Sequence, residues 1–208
     1  MELQEIETYL QTWVSYPHPL LKELTDRGKA MNFPIMGPVV GQFLYQLARL
    51  RRPKVVFELG SGYGYSALWI ALGMEEGEIY LTDKDPRLLE MARENFQKSG
   101  VRVTAHFLQG DALEQFDRWE GVPDWVVLDI EKERYPEAYD RIVPRLPSGG
   151  FLIADNLFWM GKVLNPRQID PATEGIRAFT RKIMNDPRVL STIVPLRDGV
   201  SISVKVGA

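Results

Sequence analysis

The spacing of apolar residues changes character about a quarter of the way along the chain. Leu3, Ile6, Leu10, Trp13 and Val14 recur at helical intervals, and that pattern stops before Pro17 and Pro19. Residues 19–27 predict a second, short helix with Gly28 as its stop. Residues 41–51 predict a third, with Phe43, Leu44, Leu47 and Leu50 on one face. From Lys54 onward short apolar runs at 55–59, 78–82, 103–108, 125–128 and 151–154 read as strands. Helix-like segments separate them, among them 66–74 and 86–99, the latter with Pro86 in its first turn and Gly100 after its end. Such alternation predicts a parallel sheet covered by helices on both faces. After a helix at 173–185, two β-rich runs at 189–196 and 200–206 flank Arg197-Asp198-Gly199, the signature of a hairpin. The sheet is therefore expected to be mostly parallel with an antiparallel edge. Trp13, Trp69 and Trp125 read as core, and His106 as a structural histidine within a strand.

Composition narrows the chemistry. A chain of 208 residues makes one domain, with 1–52 as an N-terminal helical segment over the site and 53–208 as the core. It has no cysteine, which removes disulfides, thiolate metal sites and cysteine nucleophiles together. Its two histidines, His18 and His106, give no basis for a multi-histidine metal centre. The net charge of −3 offers no general attraction to nucleic acid. The acidic, amphipathic start MELQEIETYL does not read as a signal peptide. The longest apolar stretch, around 67–74, is far short of the roughly 20 residues that span a bilayer. A cytoplasmic protein without a membrane segment is the expectation.

Candidate chemistry collects at the ends of the predicted strands. Glu58-Leu59-Gly60-Ser61-Gly62-Tyr63-Gly64 closes the first strand and opens a helix. Its spacing is Gly-x-Gly-x-Gly, which differs from the Gly-x-Gly-x-x-Gly of dinucleotide binders. Glu58, two residues before the first glycine, suits a ligand with positive charge and disfavours a pyrophosphate. Asp83, at the end of the second strand, stands where a ribose diol is held, while Asp85 reads as the cap of the helix at Pro86. Asp111 after the third strand would accept from an adenine amino group or cap the next helix, and the residues alone do not separate these. Asp129 ends the fourth strand and Asp155-Asn156 the fifth. Three hard oxygen donors on adjacent strand ends suit a cation such as Mg²⁺, although each also reads as a turn or cap residue. Lys132 stands three residues past Asp129. Beside a metal its charged form would be disfavoured, leaving a base for a metal-bound hydroxyl. Without that context it is a solvated charge.

Taken together, these residues resemble the cation-dependent, S-adenosylmethionine (SAM) dependent O-methyltransferases, the family of catechol and caffeoyl-CoA O-methyltransferases and small bacterial relatives. The resemblance runs from about Phe33 to the C-terminus. It rests on Gly41-Gln42-Phe43-Leu44, Glu58-Leu59-Gly60 with Gly64-Tyr65-Ser66, Asp129-x-x-Lys132-x-x-Tyr135, Asp155-Asn156 with Trp159 and Gly161, and Asp198-Gly199. It implies a seven-stranded, Rossmann-like methyltransferase sheet. By the same resemblance Glu58, Gly60 and Ser66 would lie along the methionine part of SAM, Asp83 would hold the ribose, and Asp111 with Ala112 would meet the adenine. Met36 would touch the cofactor from the other side. Asp129, which also borders the cofactor, would bind Mg²⁺ (or Ca²⁺ or Mn²⁺) together with Asp155 and Asn156, and Lys132 would be the base.

The implied acceptor is a small catechol-like hydroxyl compound, and related enzymes are commonly homodimers. Val200-Ser201 stands where the animal catechol enzymes place an acid, and Glu131 where they have tryptophan. Pro34-Ile35-Met36 and residues 195–203 look similar to relatives that methylate a wobble 5-hydroxyuridine in tRNA. Arg49, Arg51, Arg52 and Lys54, or Arg177, Arg181 and Lys182, would then contact phosphates, although they read equally well as solvated helix faces. Trp159 and Met160 would line the acceptor pocket or pack in the core.

Overall fold

A computed structural model describes residues 3–207. Three helices come first: α1 (Leu3–Gln11), α2 (Pro19–Ala30) and α3 (Gly37–Arg51). Strands and helices then alternate as β1 (Val55–Leu59), α4 (Tyr65–Gly73), β2 (Glu78–Asp83), α5 (Pro86–Ser99), β3 (Thr104–Gln109), α6 (Ala112–Arg118), β4 (Trp125–Leu128), α7 (Tyr135–Ile142) and β5 (Phe151–Ala154). The chain ends with α8 (Pro171–Asn185) and the hairpin β6 (Val189–Val194) and β7 (Val200–Lys205). The seven strands are ordered β3-β2-β1-β4-β5-β7-β6. The first five run parallel, and β7 is antiparallel to both β5 and β6. This is the expected sheet with the expected antiparallel edge.

Register is what assembles the site. Leu59 pairs with Leu128, and Leu128 with Ala154. β1, β4 and β5 therefore end level, and the next residues, Gly60, Asp129 and Asp155, emerge side by side. The four-residue strands β4 and β5 are buried at every position, as a central parallel strand between two helical layers must be. One layer packs Trp69, Trp125, Leu81 and Val127 together with Leu21, Leu24 and Leu44 of α2 and α3. α2 and α3 thus share the core of the sheet, while Glu7 of α1 and the loop 33–36 between α2 and α3 reach the cavity at the strand ends. The opposite layer is built on Phe57, Leu128, Tyr135 and Phe179.

Four expectations need correction. Gly28 lies inside α2 and does not end it. A Cβ there would stand 2.6 Å from the Tyr63 hydroxyl, which donates to the Leu24 carbonyl at 3.0 Å. The residue marks a close approach, and sequence cannot distinguish that from a helix stop. The third helix starts four residues early, at Gly37, with Pro38 in its first turn. Its buried face is Val40, Gly41, Leu44 and Ala48, while Leu50 is exposed. Small residues win that face because α4 comes close enough for Gly41 to lie against the Trp69 ring. Trp13 is 69% exposed, since α1 ends before it and the ring rests edge-on against Tyr9. Trp69 and Trp125 are core as expected. His106 is held by Glu78 at 3.0 Å and stacks on Tyr80, a structural role.

Candidate active site

The glycine loop is shaped by contacts that only glycine permits. Gly60, at φ +84°, lies so close to the Asp129 carbonyl oxygen that a Cβ would collide with it. That approach brings the ends of β1 and β4 together. The loop is tied to β2 by Ser61 N donating to the Thr82 carbonyl at 2.8 Å and Gly62 N to Asp83 Oδ2 at 3.0 Å. Asp83 also accepts from Asp85 N at 2.8 Å. It lines the cavity and retains acceptor capacity for a diol. Asp85 caps α5 through Arg87 N, as its position before Pro86 predicts.

Glu58 is wholly buried behind this loop and does not line the cavity. Ser66 Oγ, which does, donates to one Glu58 oxygen at 2.5 Å, and the other oxygen has no partner. Burial pushes the Glu58 carboxyl up to about 8. Glu58 thus stands behind Ser66 and reaches a ligand through it. Asp111 is an N-cap, accepting from Leu113 N at 3.1 Å and Glu114 N at 3.3 Å. It also pairs with Arg134 at 2.5 Å, which holds its carboxyl down at about 2. Ala112 packs in the core, and neither it nor Asp111 lines the cavity.

Asp129, Asp155, Asn156 and Lys132 do come together on one wall. Lys132 is buried, and its three N–H donors are all engaged: Asp129 Oδ1 at 2.5 Å, the Ile130 carbonyl at 3.1 Å and the Tyr135 hydroxyl at 3.0 Å. That hydroxyl lies 3.1 Å from the carbonyls of both Leu128 and Asp155, so Tyr135 ties the β4 and β5 ends to the lysine. α8 presses on the same turn through Gly175, where a Cβ would collide with the Lys132 carbonyl. The Asp155 carboxyl is 2% exposed. Burial first, and the Asp129 carboxylate second, push it up to about 7. Its Oδ2 accepts from Arg197 Nη1 at 3.3 Å, while its Oδ1 has no partner at all. Asn156 gives its amide N–H to Asp198 Oδ2 at 3.1 Å, which leaves its carbonyl oxygen for a ligand. An orphaned buried carboxylate oxygen beside a second carboxylate and a free amide oxygen is a donor set suited to a hard cation. Among the described residues no three acids or histidines cluster as a metal site, and the third donor here is an amide.

The cavity measures about 1210 Å³. Its walls include Phe33 and Met36, the glycine loop, the Asp129–Lys132 turn and a loop after β5. Trp159, Met160 and Gly161 of that loop are successively left-handed, with φ of 46°, 53° and 77°, and all three line the cavity. Two side chains hold them. Asp198 Oδ1 accepts from Met160 N at 2.7 Å. Arg177 of α8 uses all five guanidinium N–H groups, on the carbonyls of Lys162, Val163, Asn165 and Gln168 and on Glu174. The sequence pattern offers Arg177 only as a phosphate contact or a solvated helix face, and gives the side chain of Arg197 no role. Arg177→Met should release the loop, so that trypsin cuts after Lys162 or Arg167 at least about tenfold faster than in the wild type. Unchanged cleavage would show that the clamp is not what orders the loop. Other basic residues weighed as phosphate contacts are also engaged: Arg52 with Glu75, Lys54 with Glu76, Lys182 with Asp140, and Arg51 over Phe151.

Comparison with known proteins places this geometry. A family model described as O-methyltransferase matches residues 11–206. The chain is 31% identical over 206 residues to the mouse catechol O-methyltransferase domain-containing protein 1, covering 95% of this chain and 79% of that one. An O-methyltransferase from Bacillus cereus, solved in complex with S-adenosylhomocysteine, superposes with a TM-score of 0.84 at 24% identity, over 98% of this chain and 100% of that one. A Podospora anserina methyltransferase, also solved with S-adenosylhomocysteine, superposes with a TM-score of 0.85 at 24% identity, over 98% and 95%. At that identity the two solved structures establish the fold. No helix among the described residues is long and apolar enough to cross a membrane.

Proposed function

This chain belongs to the O-methyltransferase family, and on that footing we propose that its cavity binds SAM beside a divalent cation and transfers the methyl group to a hydroxyl of a small catechol-like acceptor. The observation that carries the reading is the unpartnered Asp155 Oδ1, buried next to Asp129 and the free carbonyl oxygen of Asn156. In this reading Met36, Gly60, Ser66 and Asp83 border the cofactor, with Asp83 toward the ribose. Glu58 supports Ser66 from behind.

The chemistry asks little of the protein beyond placement. A sulfonium methyl is already activated, so an acceptor oxygen must be held in line with the methyl carbon and the sulfur. A C–O bond forms as the C–S bond breaks, and S-adenosylhomocysteine leaves. Asp129, Asp155 and Asn156 would hold the cation, which would supply the Lewis acidity that makes an acceptor hydroxyl easier to ionise. Lys132 is the base in this reading: as the neutral amine, with one of its three protons given up to solvent, Nζ takes the hydroxyl proton, and Tyr135 with the Ile130 carbonyl holds that nitrogen in place. Trp159 and Met160 wall the acceptor side. The carboxylates around the cavity favour a cationic cofactor over a pyrophosphate. SAM should therefore raise the melting temperature by several degrees at saturating concentration, and NAD should leave it unchanged. Stabilisation by NAD and none by SAM would overturn the assignment.

A further inference from the structure

The turn joining β6 to β7 holds a residue that the reaction above does not use. Arg197 has φ of 50°, in the left-handed region that glycine occupies without strain and a side-chain-bearing residue does not. The chain keeps an arginine there, and its guanidinium lines the cavity. Of its five N–H donors only one makes a hydrogen bond among the described residues, from Nη1 to Asp155 Oδ2 at 3.3 Å. The side chain is 32% exposed, so the remaining donors are open to a ligand. On its other side lies Gly37, where a Cβ would meet Arg197 Cδ at 3.5 Å, so the bare glycine backbone gives the arginine its room.

The charge around the cavity gives this residue its meaning. Carboxylates line the cavity from several elements, among them Glu7, Asp83, Asp129 and Asp198, against two cations, Lys132 and Arg197. Lys132 has no donor left, because Asp129, Ile130 and Tyr135 take all three. A ligand carrying a negative group therefore finds one cation with hydrogen bonds to give. A guanidinium fork matches a carboxylate in particular, since two parallel N–H groups can meet its two oxygens.

We propose that Arg197 receives a carboxylate on the acceptor, so that aromatic diol acids are preferred over neutral or amine-bearing diols. This rests on reading the cavity as an acceptor site, and the test is chosen so that the two can fail separately. Equilibrium binding of caffeate and of its methyl ester is measured by calorimetry on the protein saturated with S-adenosylhomocysteine and Mg²⁺, for wild type, Arg197→Gly and Arg197→Lys. Glycine suits the left-handed backbone, so the first variant should fold. The expected result is that wild type binds the acid about tenfold or more tighter than the ester, that Arg197→Gly brings this ratio close to one, and that Arg197→Lys keeps part of it. A ratio unaltered in Arg197→Gly overturns the proposal. So does a fall in S-adenosylhomocysteine affinity with the ratio intact, which assigns the arginine to the cofactor's own carboxylate. Arg197-dependent binding of the acid without any turnover upholds the receptor and rejects methyl transfer to such diols.

Discussion

Replacing Lys132 with alanine should lower the turnover number for methyl transfer by about 10²- to 10⁴-fold while leaving the dissociation constant for SAM within about threefold. The asymmetry follows from what the lysine touches. Its hydrogen bonds go to Asp129, the Ile130 carbonyl and the Tyr135 hydroxyl, in the turn after β4 and at the start of α7. The glycine loop and Asp83, which border the cofactor in the proposed reading, hold each other through Thr82 and Asp85 without it. Removing a buried ammonium also leaves Asp129 short of a partner, so Lys132→Met, which keeps most of the packing volume, serves as the companion variant. Near-equal losses of turnover and SAM affinity in both variants would make Lys132 a structural or cofactor-holding residue and remove it as the base.

The second large effect concerns the cation. Asp155→Asn should weaken Mg²⁺ binding by at least about 100-fold and cut methyl transfer in proportion, with the fold retained. Asparagine matches aspartate in shape, and the carboxyl it replaces is buried beside Asp129 with one oxygen unpartnered. Its loss therefore removes a charge that the metal-free protein already accommodates poorly, and circular dichroism should show an intact fold. Titration of Mg²⁺ into both proteins by calorimetry decides the point. Equal affinities in wild type and variant would take Asp155 out of the metal site.

How far the sequence carried the description depends on the range of the contact involved. The parallel sheet and its antiparallel edge were legible, because buried strands and an Asp-Gly turn are local patterns. Asp129, Asp155, Asn156 and Lys132 were legible as a group, since a strand end fixes where the next residue emerges. Trp13 was misplaced because helical spacing continues for two residues past the end of α1. The face of α3 was misread because small residues, which a hydrophobic pattern ignores, carry its contact with α4. Asp111 had two local readings, and the structure shows a cap paired with Arg134, 23 residues away. The two arginines were hidden for different reasons. Arg177 sits on a helix face that looks solvated until the loop after β5 folds over it. Arg197 belongs to a turn whose Asp-Gly draws attention, while its own side chain points to a strand end 42 residues away.

Metal-assisted methyl transfer is open to a single assay. Purified protein is incubated with SAM labelled in its methyl group and with caffeate, once with Mg²⁺ and once with EDTA. Labelled O-methyl product is expected with Mg²⁺ and its loss with EDTA, restored by excess Mg²⁺. Transfer that continues undiminished in EDTA would contradict the assignment of Asp129, Asp155 and Asn156 to a cation.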